Sequence, residues 1–113
     1  MAEEKVSRKA WGQFSESDYD LEQWWNATLI HLVPKSEYTS KEQCKLPIRE
    51  PDGTLNENGV IAAAIRIGQT KAPRELIRKA ARQLIDIYKN ILKREPPESL
   101  YRYAGLKPPT NSE

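Results

Sequence analysis

The sequence predicts a small, mainly α-helical domain with three principal helices. A proline-containing extended turn or minimal hairpin is expected between the first and second helices. Three observations lead there. Apolar residues recur at helical spacing in three separate stretches, prolines interrupt the chain between the first two, and the chain has 113 residues with 38% hydrophobic and 30% charged side chains. That length matches about one domain, large enough to bury a modest core without staples.

The elements follow in order. Residues 1–15 read as an N-terminal arm whose Trp11 and Phe14 are unfavourable in water, so the arm is expected to dock, most simply on the domain itself. Residues 16–105 form the single helical domain and 106–113 a frayed tail. Asp20 and Gln23 have capping-box spacing, and Leu21, Trp24, Trp25, Thr28, Leu29 and Leu32 then make one helical stripe. The first helix is therefore expected over about Ser17 to Val33, stopped by Pro34. Pro47 argues against a central strand, and Pro51-Asp52-Gly53 has the chemistry of a tight turn with glycine at positive φ. Asn56 or Asn58 caps a short, nearly apolar second helix through Val60 to Ile67, closed by Gly68. The third helix starts near Pro73 and runs to about Arg94, and a last turn spans Glu98 to Ala104.

Charge is segregated along the chain. Residues 1–57 carry seven Lys/Arg against eleven Asp/Glu, net −4; residues 58–113 carry eleven against five, net +6. The overall +2 hides an acidic half and a basic half. Three explanations compete: attraction between the halves inside the domain, ordinary solvated faces, or a partner surface. On a helical wheel, Arg74, Arg78, Arg82, Lys89 and Lys93 lie opposite the apolar arc, interrupted by Ile85. These five are the candidate nucleic-acid contacts, acting on phosphates without reading sequence. The competing view is a charged solvent face that suits helix propensity and the helix dipole.

The residue types needed for catalysis or metal binding are scarce. His31 and Cys44 are single in the chain. His31 is expected as a boundary residue at a helix end and Cys44 as a small buried hydrophobe. One of each falls short of a four-ligand zinc site, and Asp52, Asn56, Glu57 and Asn58 lack the order of a calcium loop. Asn26-Ala-Thr28 fits a glycosylation pattern but is expected within a helix. No enzyme activity, cofactor, metal or membrane association is expected. The N-terminus lacks the apolar stretch of a signal peptide, and the lone cysteine suits a reducing compartment, so a cytoplasmic or virion-associated location is expected.

The order of segments carries a resemblance. Asp18-Tyr-Asp-Leu-Glu-Gln-Trp24, Leu29-Ile-His-Leu32, Ser40-Lys-Glu-Gln-Cys-Lys-Leu-Pro-Ile-Arg-Glu-Pro-Asp-Gly-Thr-Leu-Asn56, the alanine-rich Val60 to Ile67 and Ala80-Ala-Arg-Gln-Leu84 follow one another. This series resembles a helical module in head-region proteins of tailed bacteriophages and proviruses, where it accompanies capsid maturation proteases outside their catalytic core. The resemblance covers about Asp18 to Tyr88, and Cys44 to Asn56 is its most specific part. It implies a structural or interaction role with a head or portal protein as partner, and no catalytic residue of the family maps onto this chain. Trp24, Trp25, Leu46, Ile48 and Leu55 are the candidate protein contacts. Sequence-independent nucleic-acid binding is the alternative function.

Overall fold

A computed structural model describes residues 4–108. The fold is helix-rich with two small sheets, in the order β1 (Val6–Ser7), α1 (Leu21–Ala27), β2 (Thr28–His31), β3 (Cys44–Pro47), β4 (Leu55–Asn56), α2 (Glu57–Arg66), α3 (Arg74–Asp86) and α4 (Glu98–Tyr103). Short 3-10 turns fill the gaps, and one turn of π-helix, Ile87–Ile91, prolongs α3.

The first helix is shorter than expected at both ends: it begins at Leu21, behind the Asp20–Gln23 box rather than near Ser17, and ends six residues early. Asp20 accepts from the Gln23 amide and the Gln23 side chain accepts from the Asp20 amide, each at 2.7 Å. After Ala27 the chain turns into β2, antiparallel to β3, with Thr28 opposite Pro47, Ile30 opposite Lys45 and His31 opposite Cys44. The expectation of one helix to Val33 is thus corrected. Thr28-Leu-Ile-His31 matches a helical stripe, but β-branched Thr28 and Ile30 also alternate with Leu29 and His31, and pairing with β3 selects that period of two. Pro47 sits at the end of a two-stranded sheet, where its missing N–H breaks no central ladder. Leu46, buried in β3, has φ +65°, a left-handed conformation costing about 1 kcal/mol or more for a branched side chain.

The proline-rich turn forms as a minimal hairpin. Arg49 bridges Leu55, the Glu50 amide donates to Thr54 O at 2.8 Å, and Gly53 holds φ +94°. Of the two expected caps, Asn56 is the one used: its Oδ1 accepts from the Gly59 amide at 2.7 Å. Its Nδ2 donates to Glu50 Oε2 at 2.8 Å and to Lys9 O at 3.1 Å, so a fully buried side chain ties hairpin, helix and arm together.

The arm docks on the domain. β1 pairs in parallel with β4, and Trp11 lies over Gly59. The Glu57 carboxylate receives Arg8 at 2.9 Å and Arg94 at 2.6 Å. The hydrogen bond from Arg8 is the main reason its proton affinity falls below the usual carboxylate range.

The main core gathers Ile30, Ile48, Leu55, Val60, Ile67, Leu84 and Leu100, and a second cluster holds Tyr19, Trp24, Ala27 and Cys44. α3 closes with Lys93 at φ +56°, where the Arg94 amide returns to Tyr88 O at 2.8 Å. α4 then folds back on α3, ending at Gly105 (φ +73°) with the Leu106 amide bonded to Tyr101 O at 2.8 Å. Of the expected tail, 106–108 has no helix or strand and 109–113 lies outside the described residues.

Candidate functional site

α4 changes the meaning of the basic face of α3. Ile85, expected as an interruption of a solvent face, is buried, as are Leu100, Tyr101 and Ala104 of the segment that packs there. The cations border this contact. Arg82 Nε donates to Ala104 O at 2.9 Å, Lys89 Nζ stands 5.5 Å from the Tyr101 ring centroid, and Arg78 lies against Gly105. Two of the five candidate phosphate contacts, Arg82 and Lys89, therefore engage the α4 segment, and Arg78 borders it without a hydrogen bond or ion pair among the described residues. Arg74 and Lys93 are exposed near the two ends of the helix.

On the side of α3 facing β2 the chain forms an open groove of ≈ 850 Å³. One wall is Asn26 at the end of α1 with Leu29 and His31 of β2; the other is Arg78, Lys79, Arg82 and Gln83 of α3. Arg49, Glu75 and Asp86 also line it, giving four cations against two carboxylates. Arg49 is committed: it pairs with Glu4 and donates to Gly53 O at 3.1 Å. Asp86 accepts from Asn90 at 2.5 Å. Among the described residues Arg78, Lys79 and Arg82 make no ion pair, and the Asn26 and Gln83 amide side chains make no hydrogen bond. Arg78, Lys79, Asn26 and Gln83, exposed and without a side-chain partner among the described residues, form a polar wall whose bonding capacity goes to solvent or to a ligand.

An aromatic stack stands at the edge of the groove. Trp25 stacks on His31 with centroids 3.7 Å apart and planes at 15°, and Tyr38 lies 5.1 Å from it. His31 Nε2 is 2.9 Å from Trp25 O; a carbonyl only accepts, so this nitrogen carries the proton. Lys35 approaches the Trp25 ring at 5.1 Å while pairing with Glu22 at 3.0 Å.

His31 and Cys44 are brought together as cross-strand neighbours, yet neither is set up as a nucleophile and base. The imidazole is engaged by Trp25. Burial pushes the Cys44 thiol above its ordinary value, outweighing the Thr28 hydroxyl and the Lys35 charge. Cys44 is thus a small buried hydrophobe, as expected.

The expected protein-contact residues lie mostly inside. Trp24, Leu46, Ile48 and Leu55 are buried, Trp24 donating its indole N–H to Lys41 O at 2.8 Å; only Trp25 reaches solvent. The uncommitted groove residues Asn26, Lys79 and Gln83 were not singled out by the sequence. Their signal, the β-branched alternation at Thr28–His31, is visible only once the helical reading of that run is dropped.

No family model, curated protein or solved structure matches the chain. Among the described residues no helix is long and apolar enough to cross a membrane, and no three His, Cys, Asp or Glu side chains group as metal ligands.

Proposed function

We propose that this chain is a non-enzymatic protein-interaction module whose working surface is the groove between β2 and α3. Its setting is the viral or proviral head assembly to which the sequence resemblance points. The observation that supports the reading is the uncommitted wall of Arg78, Lys79 and Gln83 facing Asn26 across ≈ 850 Å³. A groove of this size with a few convergent polar groups is the default binding site of a fold, and a partner segment is the ligand proposed for it. Nucleic-acid binding draws less support, because Arg82 and Lys89 are engaged at the α4 segment and the basic stripe is not a free ladder of cations.

Tagged full-length chain, purified from cells carrying the corresponding phage or provirus, tests this. A head or portal component is expected to co-purify with the wild type and to be lost with Arg78→Glu plus Lys79→Glu, with unfolding unchanged. Arg82 is left intact because it anchors α4. A chain without a head or portal partner, or one that shifts mixed-sequence duplex with a steep dependence on salt, overturns the proposal.

A further inference from the structure

The segregated charge of the chain is not consumed by internal pairing. Of the four ion pairs among the described residues, Arg8–Glu57, Lys35–Glu22 and Arg49–Glu4 each join two residues of the acidic half. Only Arg94–Glu57 joins the two halves. Attraction inside the domain therefore does not account for the −4 and +6.

What remains is two surfaces of opposite sign. The first is the exposed run Glu16, Asp18, Asp20 and Glu22, with Leu21, 43% exposed, between the last two. Asp18 and Asp20 cap the turns and Glu22 pairs with Lys35, each through one carboxylate oxygen, and Glu16 has no side-chain partner among the described residues. It lies at the N-terminal end of α1. The second is the groove, which begins at Asn26 near the other end of the same helix and carries Arg78, Lys79 and Arg82. Seven residues of helix span about 10 Å. The acidic run lies on the turn before α1 and its first residues, and the groove, whose cations are on α3, begins at the other end of α1, so the two surfaces are offset from each other rather than coincident.

We propose that the groove receives the Glu16–Glu22 segment of a second copy of this chain, so that copies join head to tail. This rests on the groove being the working surface and names one partner for it. The carboxylates of the run meet Arg78, Lys79 and Arg82, and Leu21 supplies an apolar contact that leaves water on docking. Because donor and acceptor surfaces differ, the contact is heterologous. It closes into a ring or continues as a filament according to the rotation it imposes. Exposed ion pairs contribute little each, so the association is weak and falls with salt.

Sedimentation velocity of the full chain from about 10 μM to about 1 mM, at about 20 mM and about 300 mM salt, reads this directly. The wild type is expected to associate at low salt and to weaken about tenfold or more at high salt. Two charge reversals identify the surfaces: Arg78→Glu with Lys79→Glu in one variant, Glu16→Lys with Glu22→Lys in the other. Each alone is expected to stay monomeric, and an equimolar mixture is expected to associate again, because the unaltered acidic run of the first fits the unaltered groove of the second. A wild type that is monomeric at both salts overturns the proposal without variants, as does a variant that associates like the wild type. A mixture of folded variants that does not re-associate overturns it too. If copies do not join but Arg78→Glu with Lys79→Glu still releases a head or portal component, only the self-docking fails and the groove keeps its role.

Discussion

Replacing Asn56 with alanine removes three roles at once. The side chain is fully buried, its Oδ1 caps α2 through the Gly59 amide, and its Nδ2 serves Glu50 and the arm carbonyl of Lys9. Loss of an N-cap costs about 1 kcal/mol. Leaving the Glu50 carboxylate, 4% exposed, without its donor costs about 1–3 kcal/mol more. Asn56→Ala is therefore expected to lose about 2–4 kcal/mol, a fall in Tm of about 8–16 °C for a chain of this length. Urea unfolding followed by tryptophan fluorescence measures the loss, with the denaturant slope unchanged as the check that the denatured state is the same. Asn56→Asp separates the contributions: it keeps the cap acceptor but sets a second carboxylate against Glu50. Its loss at neutral pH should be similar, because two carboxylates then face each other in a buried site. A loss below about 0.5 kcal/mol for Asn56→Ala would refute the assignment of this side chain as the joint of hairpin, helix and arm.

Other outcomes follow from single contacts. Tyr19, which donates to Arg49 O at 2.5 Å, has its phenol pushed up to about 12 by burial first and by the Glu50, Asp18 and Asp52 charges. A raised folded-state value means this stability is fully present below the ordinary tyrosine range, about 10, and is lost as pH rises through about 12. Ultraviolet titration of the five tyrosines should show at least one phenol ionising only as the fold is lost, and ionisation of all five in the folded chain near pH 10 would contradict this. Cys44 should react with a thiol reagent at the rate of unfolding, and fast labelling of the native chain would contradict its burial. A Cβ at Gly59 would sit 3.0 Å from three Trp11 ring carbons, so Gly59→Ala should lift the arm. Trypsin cleavage after Arg8 or Lys9 should rise several-fold, while the change in global stability stays within about 1 kcal/mol because alanine favours the helix. Unchanged cleavage would place Trp11 elsewhere.

Much of the framework was legible locally. The Asp20–Gln23 box, the Pro51-Asp52-Gly53 turn, the Asn56 cap and α3 follow from residues within a few positions of one another, where capping and turn chemistry act. β2 did not, because Thr28–His31 satisfies both periods and its strand character comes from Cys44–Pro47, more than a dozen residues later. The basic face of α3 is exposed as its wheel predicts, but the return of α4 was not legible for a similar reason: a wheel shows which residues share a side, not that a later segment covers Ile85 and engages Arg82 and Lys89. The groove joins residues about fifty positions apart, so only its charge was visible in the sequence. The separation of acidic and basic halves was legible from the start, and the ion pairs show that it is left largely on the surface.

An amide shift map on dilution tests the central claim most directly. Isotope-labelled chain taken from about 1 mM to about 20 μM at low salt should show changes confined to Glu16–Glu22, Asn26–His31 and Arg78–Gln83, disappearing at high salt. No changes at any concentration would contradict self-docking. A set centred on Arg74, Lys89 and Lys93 would contradict the assignment of the groove between β2 and α3 as the interaction surface.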